Sequence, residues 1–165
     1  MSLPPTPLFS VLELLAASKV CFIVVGGLAM ILQGLDTLTQ DVDISFALDA
    51  ENCEELVAFL NAYHPRPLTV PASVPFVLSV ATLTCVRFLN LKTDLGEIDL
   101  LPHPAGIDSF QGLLARASWL DLGTFTVGVA SLDDLNAMKE AAGRPKDQVH
   151  LMELRALKKI LDSEC

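Results

Sequence analysis

Two aspartates two residues apart in an otherwise apolar stretch, Asp41-Val42-Asp43-Ile44-Ser45-Phe46, constrain this chain more than any other feature. Polar and apolar residues alternate here, the period of a strand with one wet face. Residues two apart on a strand project from the same face, so the two carboxylates stand side by side. They repel each other unless a cation intervenes, and Val42, Ile44 and Phe46 offer no compensating charge. Hard oxygen ligands of this kind suit Mg2+ or Mn2+. The alternative is a solvated strand face that happens to carry two acids. A further carboxylate, Asp99 in Gly96-Glu97-Ile98-Asp99-Leu100, lies on a second predicted strand. Flanked by Ile98 and Leu100, it needs a partner if that strand is inside a sheet. Glu97 shares its face and competes for the same role.

Upstream, the apolar run Cys21–Val25 reads as a buried strand that ends at Gly26-Gly27. Leu28–Leu32 follows as a helix, with Gly34 as its C-terminal cap. Paired glycines between a strand and a helix let a phosphate approach bare backbone beside the helix N-terminus. A simple tight turn reads the same way. Neither G-x-G-x-x-G nor G-x-x-x-x-G-K-[ST] is present, which argues against Rossmann and P-loop folds.

The remaining pattern alternates helices and strands. Pro4, Pro5 and Pro7 predict an irregular lead-in, and Leu8–Ala17 a first helix. Ala50–Tyr63 is an amphipathic helix stopped by Pro65 and Pro67, and Leu68–Pro75 is a loop or short helical turn. Ala81–Asn90 alternates like a strand, Leu91–Gly96 carries a turn signal, and Glu97–Leu101 completes a hairpin. Phe110–Ala115 reads as a short helix, and Ser118–Val129 as extended with breaks at Gly123 and Gly128. Ser131 caps a helix, with an acidic residue three positions later; it runs to Ala142 and ends at Gly143. Pro145 opens a last helix as a first-turn residue. The expected fold is α/β (α+β): a small mixed sheet flanked by helices over residues 1–130, with a helical pair over 131–165, all in one domain.

Composition fits that picture. The chain has 165 residues and is 52% hydrophobic, enough for one well-filled core. Its net charge of −9 argues against a long nucleic-acid footprint, which draws its affinity from Lys and Arg. The basic cluster Arg155, Lys158 and Lys159 keeps a tRNA partner open. Cys21, Cys53, Cys85 and Cys165 form no C-x-x-C pair and read as ordinary buried thiols of a reducing cytosol. The N-terminus lacks the basic residues of a signal peptide. The longest apolar run, the 13 residues Val20–Leu32, is too short for a membrane helix. His64 and His103 each precede a proline and read as surface loop residues. With His150 they do not have zinc spacing. Tyr63 and Trp119 read as packing aromatics.

In combination these motifs resemble the nucleotidyltransferase superfamily, with its DNA polymerase beta-like fold. The family pattern is an apolar strand ending in G-[GS], then a strand bearing D-x-[DE], then a third carboxylate on a later strand. Val24-Val25-Gly26-Gly27, Asp41-Val42-Asp43 and Asp99 match in order and context. Thr39-Gln40-Asp41-Val42-Asp43 resembles the T-x-D-[IL]-D form of bacterial minimal and abortive-infection-type members. Lys139-Glu140-Ala141-Ala142-Gly143-Arg144-Pro145-Lys146-Asp147 resembles their K-x-x-A-G-R-x-K-D segment. Two positions depart from that pattern: Thr37 stands where relatives often carry arginine, and His150 where they often carry aspartate.

The resemblance implies transfer of a nucleotidyl group from an NTP, ATP above all, to a hydroxyl of a protein, a tRNA end or a small molecule. Asp41, Asp43 and Asp99 are the implied catalytic and metal-binding residues, with Mg2+ or Mn2+ as the metal. Gly26, Gly27, Thr39, Lys139, Arg144 and Lys146 are the implied nucleotide contacts. A protein of this kind works in the cytoplasm, and its acceptor could be held by a partner or by a second copy in a homo-oligomer. The competing functions are a binding module, a weak or inactive member acting as one half of a toxin–antitoxin pair with a helical partner, and a nucleotide-binding sensor without transfer.

Overall fold

Strand β2 (Asp41–Phe46) is the centre of the molecule, and its burial follows its alternation at first: Val42, Ile44 and Phe46 are fully buried and Asp41 and Asp43 half-buried, but Ser45, on the aspartate face, is buried as well. The computed structural model describes residues 6–164; Pro4, Pro5 and Cys165 lie outside them. Beside β2 runs β1 (Phe22–Val25), antiparallel to it and buried at every position. On the other side lies β5 (Gly96–Leu100), parallel to β2, with Asp43 directly opposite Asp99.

The whole sheet has seven strands in the order β3-β4-β5-β2-β1-β7-β6. Strands β3 (Arg66–Pro67) and β4 (Leu89–Thr93) extend it on the β5 side. Strands β6 (Ser118–Asp121) and β7 (Thr126–Val129) form a hairpin on the β1 side. Both parallel and antiparallel pairs occur, so the sheet is mixed as expected. One face of β4, β5 and β2 is apolar, with Leu91, Ile98, Leu100, Val42 and Ile44 all fully buried.

Helix α1 (Thr6–Ala17) begins earlier than the prolines predicted, with Pro7 in its first turn, where a missing N–H costs nothing. It packs against β2 and β7. Helix α2 (Gly26–Leu32) follows β1 without a loop, so the two glycines are the first turn of the helix rather than a turn before it. Helix α3 (Ala50–Asn61) is capped by Asp49, whose carboxylate accepts from the Asn52 backbone N–H. The buried Asn52 amide then joins α3 to the ends of β1 and β2 through Cys21 and Ala47.

Residues 81–90 are not the predicted strand. They divide into helix α4 (Val80–Cys85), a bend, and the start of β4. Ser79 caps α4 through the Thr82 N–H, and Leu83 is its one buried side chain. A local serine cap outweighs the β-branched alternation of Thr82 and Thr84. The hairpin is real but its turn is tighter than predicted: Thr93 pairs with Gly96, leaving Asp94 and Leu95 as the loop.

Helix α5 (Phe110–Arg116) matches its prediction, and the extended segment 118–129 is the β6–β7 hairpin. Helix α6 (Leu132–Ala142) has the predicted Ser131 cap, and Gly143 ends it in the left-handed conformation. Helix α7 (Asp147–Ser163) packs along α6, which itself rests on α2. Arg155 and Lys158 pair with Glu140 and Asp133 of α6, so two members of the basic cluster serve this helix junction. Among the described residues no helix is long and apolar enough to cross a membrane.

Candidate active site

The two central parallel strands bring Asp41, Asp43 and Asp99 together, with one oxygen of each within 4.8 Å of the others. Asp99 is buried, whereas Glu97, its competitor in sequence, sits one row away opposite Asp41 and is exposed. Three carboxylates this close cannot all stay ionised without help. Burial, followed by the charges of Asp99 and Asp41, pushes the Asp43 carboxyl up to about 8; nearby Lys139 pulls weakly the other way. Burial likewise raises Asp99, to about 6, against a hydrogen bond from Asn90 that favours its charged form. One oxygen of Asp43, Oδ1, is buried without a hydrogen-bond partner. A buried, unpartnered carboxylate oxygen facing two more carboxylates is a donor set that fits a hard divalent cation.

Asn90 is the residue that the sequence reading missed. It lies on β4 directly opposite Asp99, and its Nδ2 donates to Asp99 Oδ1 at 2.7 Å. The signal was available: a two-residue loop at Asp94-Leu95 fixes a register that places residue 90 against residue 99.

The glycines meet the triad by shape. Gly26 has φ +69, and a Cβ there would fall 2.0 Å from Asp43 Oδ2. A Cβ on Gly27 would stand 3.0 Å from Thr39 Oγ1. Thr39 donates to the Asp41 carbonyl at 3.3 Å, tying the loop before β2 to its first residue. Both glycines, with Asp43, Lys139 and Arg144, line a cleft of about 200 Å3 whose apolar wall includes Leu101, Leu135 and Met138.

The basic residues of the tail separate into two groups. Lys139 and Arg144 border the cleft and also clamp Asp147 at the head of α7: Lys139 Nζ donates to Oδ1 at 2.9 Å and Arg144 Nε to Oδ2 at 2.8 Å. Burial alone would raise the Asp147 carboxyl, but these two cations hold it down at about 2. Lys146 is exposed and stands outside the cleft lining. The two departures from the family pattern meet in space, with Thr37 Oγ1 3.3 Å from His150 Nε2. His64 and His103 are exposed, as expected; Cys21, Cys53 and Cys85 are free thiols, but Cys53 is buried while Cys21 and Cys85 are exposed, against the expectation of buried thiols.

The sequence profile of the aminoglycoside-2''-adenylyltransferase family matches residues 7–134. A search of curated protein sequences finds no match. Among solved structures, the lincosamide antibiotic adenylyltransferase LnuA, bound to lincomycin, superposes with a TM-score of 0.62 at 18% identity, over 95% of this chain and 99% of that one. ANT(2'')-Ia, in complex with adenylyl-2''-tobramycin, superposes with a TM-score of 0.58 at 16% identity, over 97% of this chain and 92% of that one. At such identities the structural likeness establishes the nucleotidyltransferase fold, while the profile match establishes the family.

Proposed function

The chain belongs to the aminoglycoside-2''-adenylyltransferase family of nucleotidyltransferases, and from that premise we propose that it transfers the adenylyl group of ATP to a hydroxyl of a small molecule. The observation that carries this reading is the triad: three carboxylates from neighbouring strands, one with an unpartnered buried oxygen, beside a cleft. Asp41, Asp43 and Asp99 would hold Mg2+ or Mn2+. When bound, the metal supplies positive charge to the phosphate oxygens and to the attacking and leaving oxygens.

The protein's own groups supply the rest. Gly26 and Gly27 present bare backbone to the phosphates. Lys139 and Arg144 line the same cleft, where a triphosphate would add an anion to the one they already clamp. Leu101, Leu135 and Met138 offer an apolar wall to the base and sugar. Asp99, turned by the Asn90 amide, takes the proton of the acceptor hydroxyl. The hydroxyl oxygen bonds to the α-phosphorus, and pyrophosphate leaves.

The solved relatives carry lincomycin and adenylylated tobramycin, so hydroxylated antibiotics are the acceptors to test first. Pyrophosphate release is measured with ATP, Mg2+ and either compound, and the acceptor is then weighed by mass spectrometry. The expected outcome is acceptor-dependent pyrophosphate and a product heavier by one adenylyl group. Orthophosphate release, or no release while ATP is bound, would overturn the reading.

A further inference from the structure

The side of the triad away from the nucleotide cleft is an open sheet face, and its charges limit what can lie there. In the register of β2, β5, β4 and β3, Asp41 stands opposite Glu97, Glu97 opposite Lys92, and Lys92 opposite Arg66. Directly opposed residues share a face, so one row of side chains leads from the triad to the sheet edge. Glu97 and Lys92 are both exposed, and among the described residues no ion pair joins them although they oppose each other. Strand spacing of ~4.8 Å puts Lys92 roughly 10 Å from Asp41, the length of a drug-sized molecule. The row ends at a hollow of about 570 Å3 that Arg66, Leu68 and Lys92 help to line. Phe88, 52% exposed, heads the same strand and offers apolar surface.

Beyond the triad this row carries one carboxylate and two cations. A polyamine acceptor needs several unpaired carboxylates to replace its hydration. At the hollow Asp94 is already paired with His64, and Arg66 donates to the Pro71 and Val74 carbonyls. Glu97 is left to take one amine, and Lys92 repels a second. We propose that the acceptor lies across β2, β5 and β4, that Glu97 and Lys92 determine its specificity, and that it is a hydroxylated compound with no more than one amine. The amine would pair with Glu97, and Lys92 would donate to a hydroxyl. This rests on the adenylyl-transfer reading and narrows its acceptor.

Calorimetric titration of lincomycin, a monoamine, and tobramycin, a polyamine, into the intact protein tests it without requiring turnover. Wild type is expected to bind the monoamine at least tenfold more tightly. Glu97→Gln should weaken monoamine binding about tenfold and leave the affinity for a non-hydrolysable MgATP analogue unchanged. Lys92→Glu should raise polyamine affinity about tenfold. Preference of wild type for the polyamine, absence of monoamine binding, or indifference of both acceptors to both substitutions would overturn the proposal. The MgATP titration reports separately on adenylyl transfer: its failure beside normal acceptor binding would sink that reading alone.

Discussion

Asp43 lies between two other carboxylates with one oxygen buried and unpartnered, so its state depends on what neutralises it. Without metal its carboxyl is pushed up to about 8 and that of Asp99 to about 6, from an ordinary value of 3.8. The folded protein therefore holds more protons than the unfolded chain across that interval. Stability from these groups is complete below about pH 4 and is lost as pH rises through 6 to 8. Thermal unfolding in chelator should give a lower Tm at pH 8 than at pH 5, and Mg2+ at pH 8 should recover the loss. A flat profile with no response to Mg2+ would remove the carboxylate repulsion from the picture. Asp43→Asn should stabilise the metal-free protein at pH 8 by on the order of 1 kcal/mol, because it removes a partly buried charge that Asp99 and Asp41 repel. The same substitution should cut transfer by at least about 100-fold, because a metal ligand is lost.

At the scale of elements, two junctions carry the site. The β1–α2 junction works because Gly26 has no side chain; Gly26→Ala would drive a methyl into Asp43. That variant should lose measurable MgATP binding and unfold at a lower temperature, and retention of wild-type affinity would show that the carboxylate can move aside. The α6–α7 junction depends on Asp147, 1% exposed and held by Lys139 and Arg144. Asp147→Ala should cost about 2–3 kcal/mol in urea unfolding, since it leaves Lys139 partly buried without its anion. A loss under about 0.5 kcal/mol, the size of an ordinary surface substitution, would contradict that role. Elements with one strong local signal were legible in the sequence. Alternation defined β2 to the residue, and Ser131 with Gly143 bounded α6. Residues 81–90 misled because period two over a few β-branched residues also suits a short capped helix, and only tertiary burial of Leu83 separates the two. Asn90 became legible only with the turn narrowed to Asp94-Leu95, and in the clamp on Asp147 the Lys139 contact depends on how α6 meets α7.

Across the whole molecule the triad divides two environments. On the β1 side, α2 and α6 frame a narrow cleft with backbone, two cations and an apolar wall. On the β4 side the sheet face is bare and charged, with Asn90, Glu97 and Lys92 on it. The order of motifs in the sequence put the third carboxylate on a later strand, by resemblance to the family pattern; the pairing of that strand with β2 is a property of the fold. The pairing of Thr37 with His150 was not legible, since 113 residues separate them and each reads as an isolated departure. The most direct measurement is calorimetric titration of a non-hydrolysable ATP analogue into wild type and Asp43→Asn, each with Mg2+ and with chelator. Binding that needs Mg2+ and disappears in the variant is the expected result. Equal binding by wild type and variant, or none by wild type with Mg2+, would contradict a metal–nucleotide site at the triad.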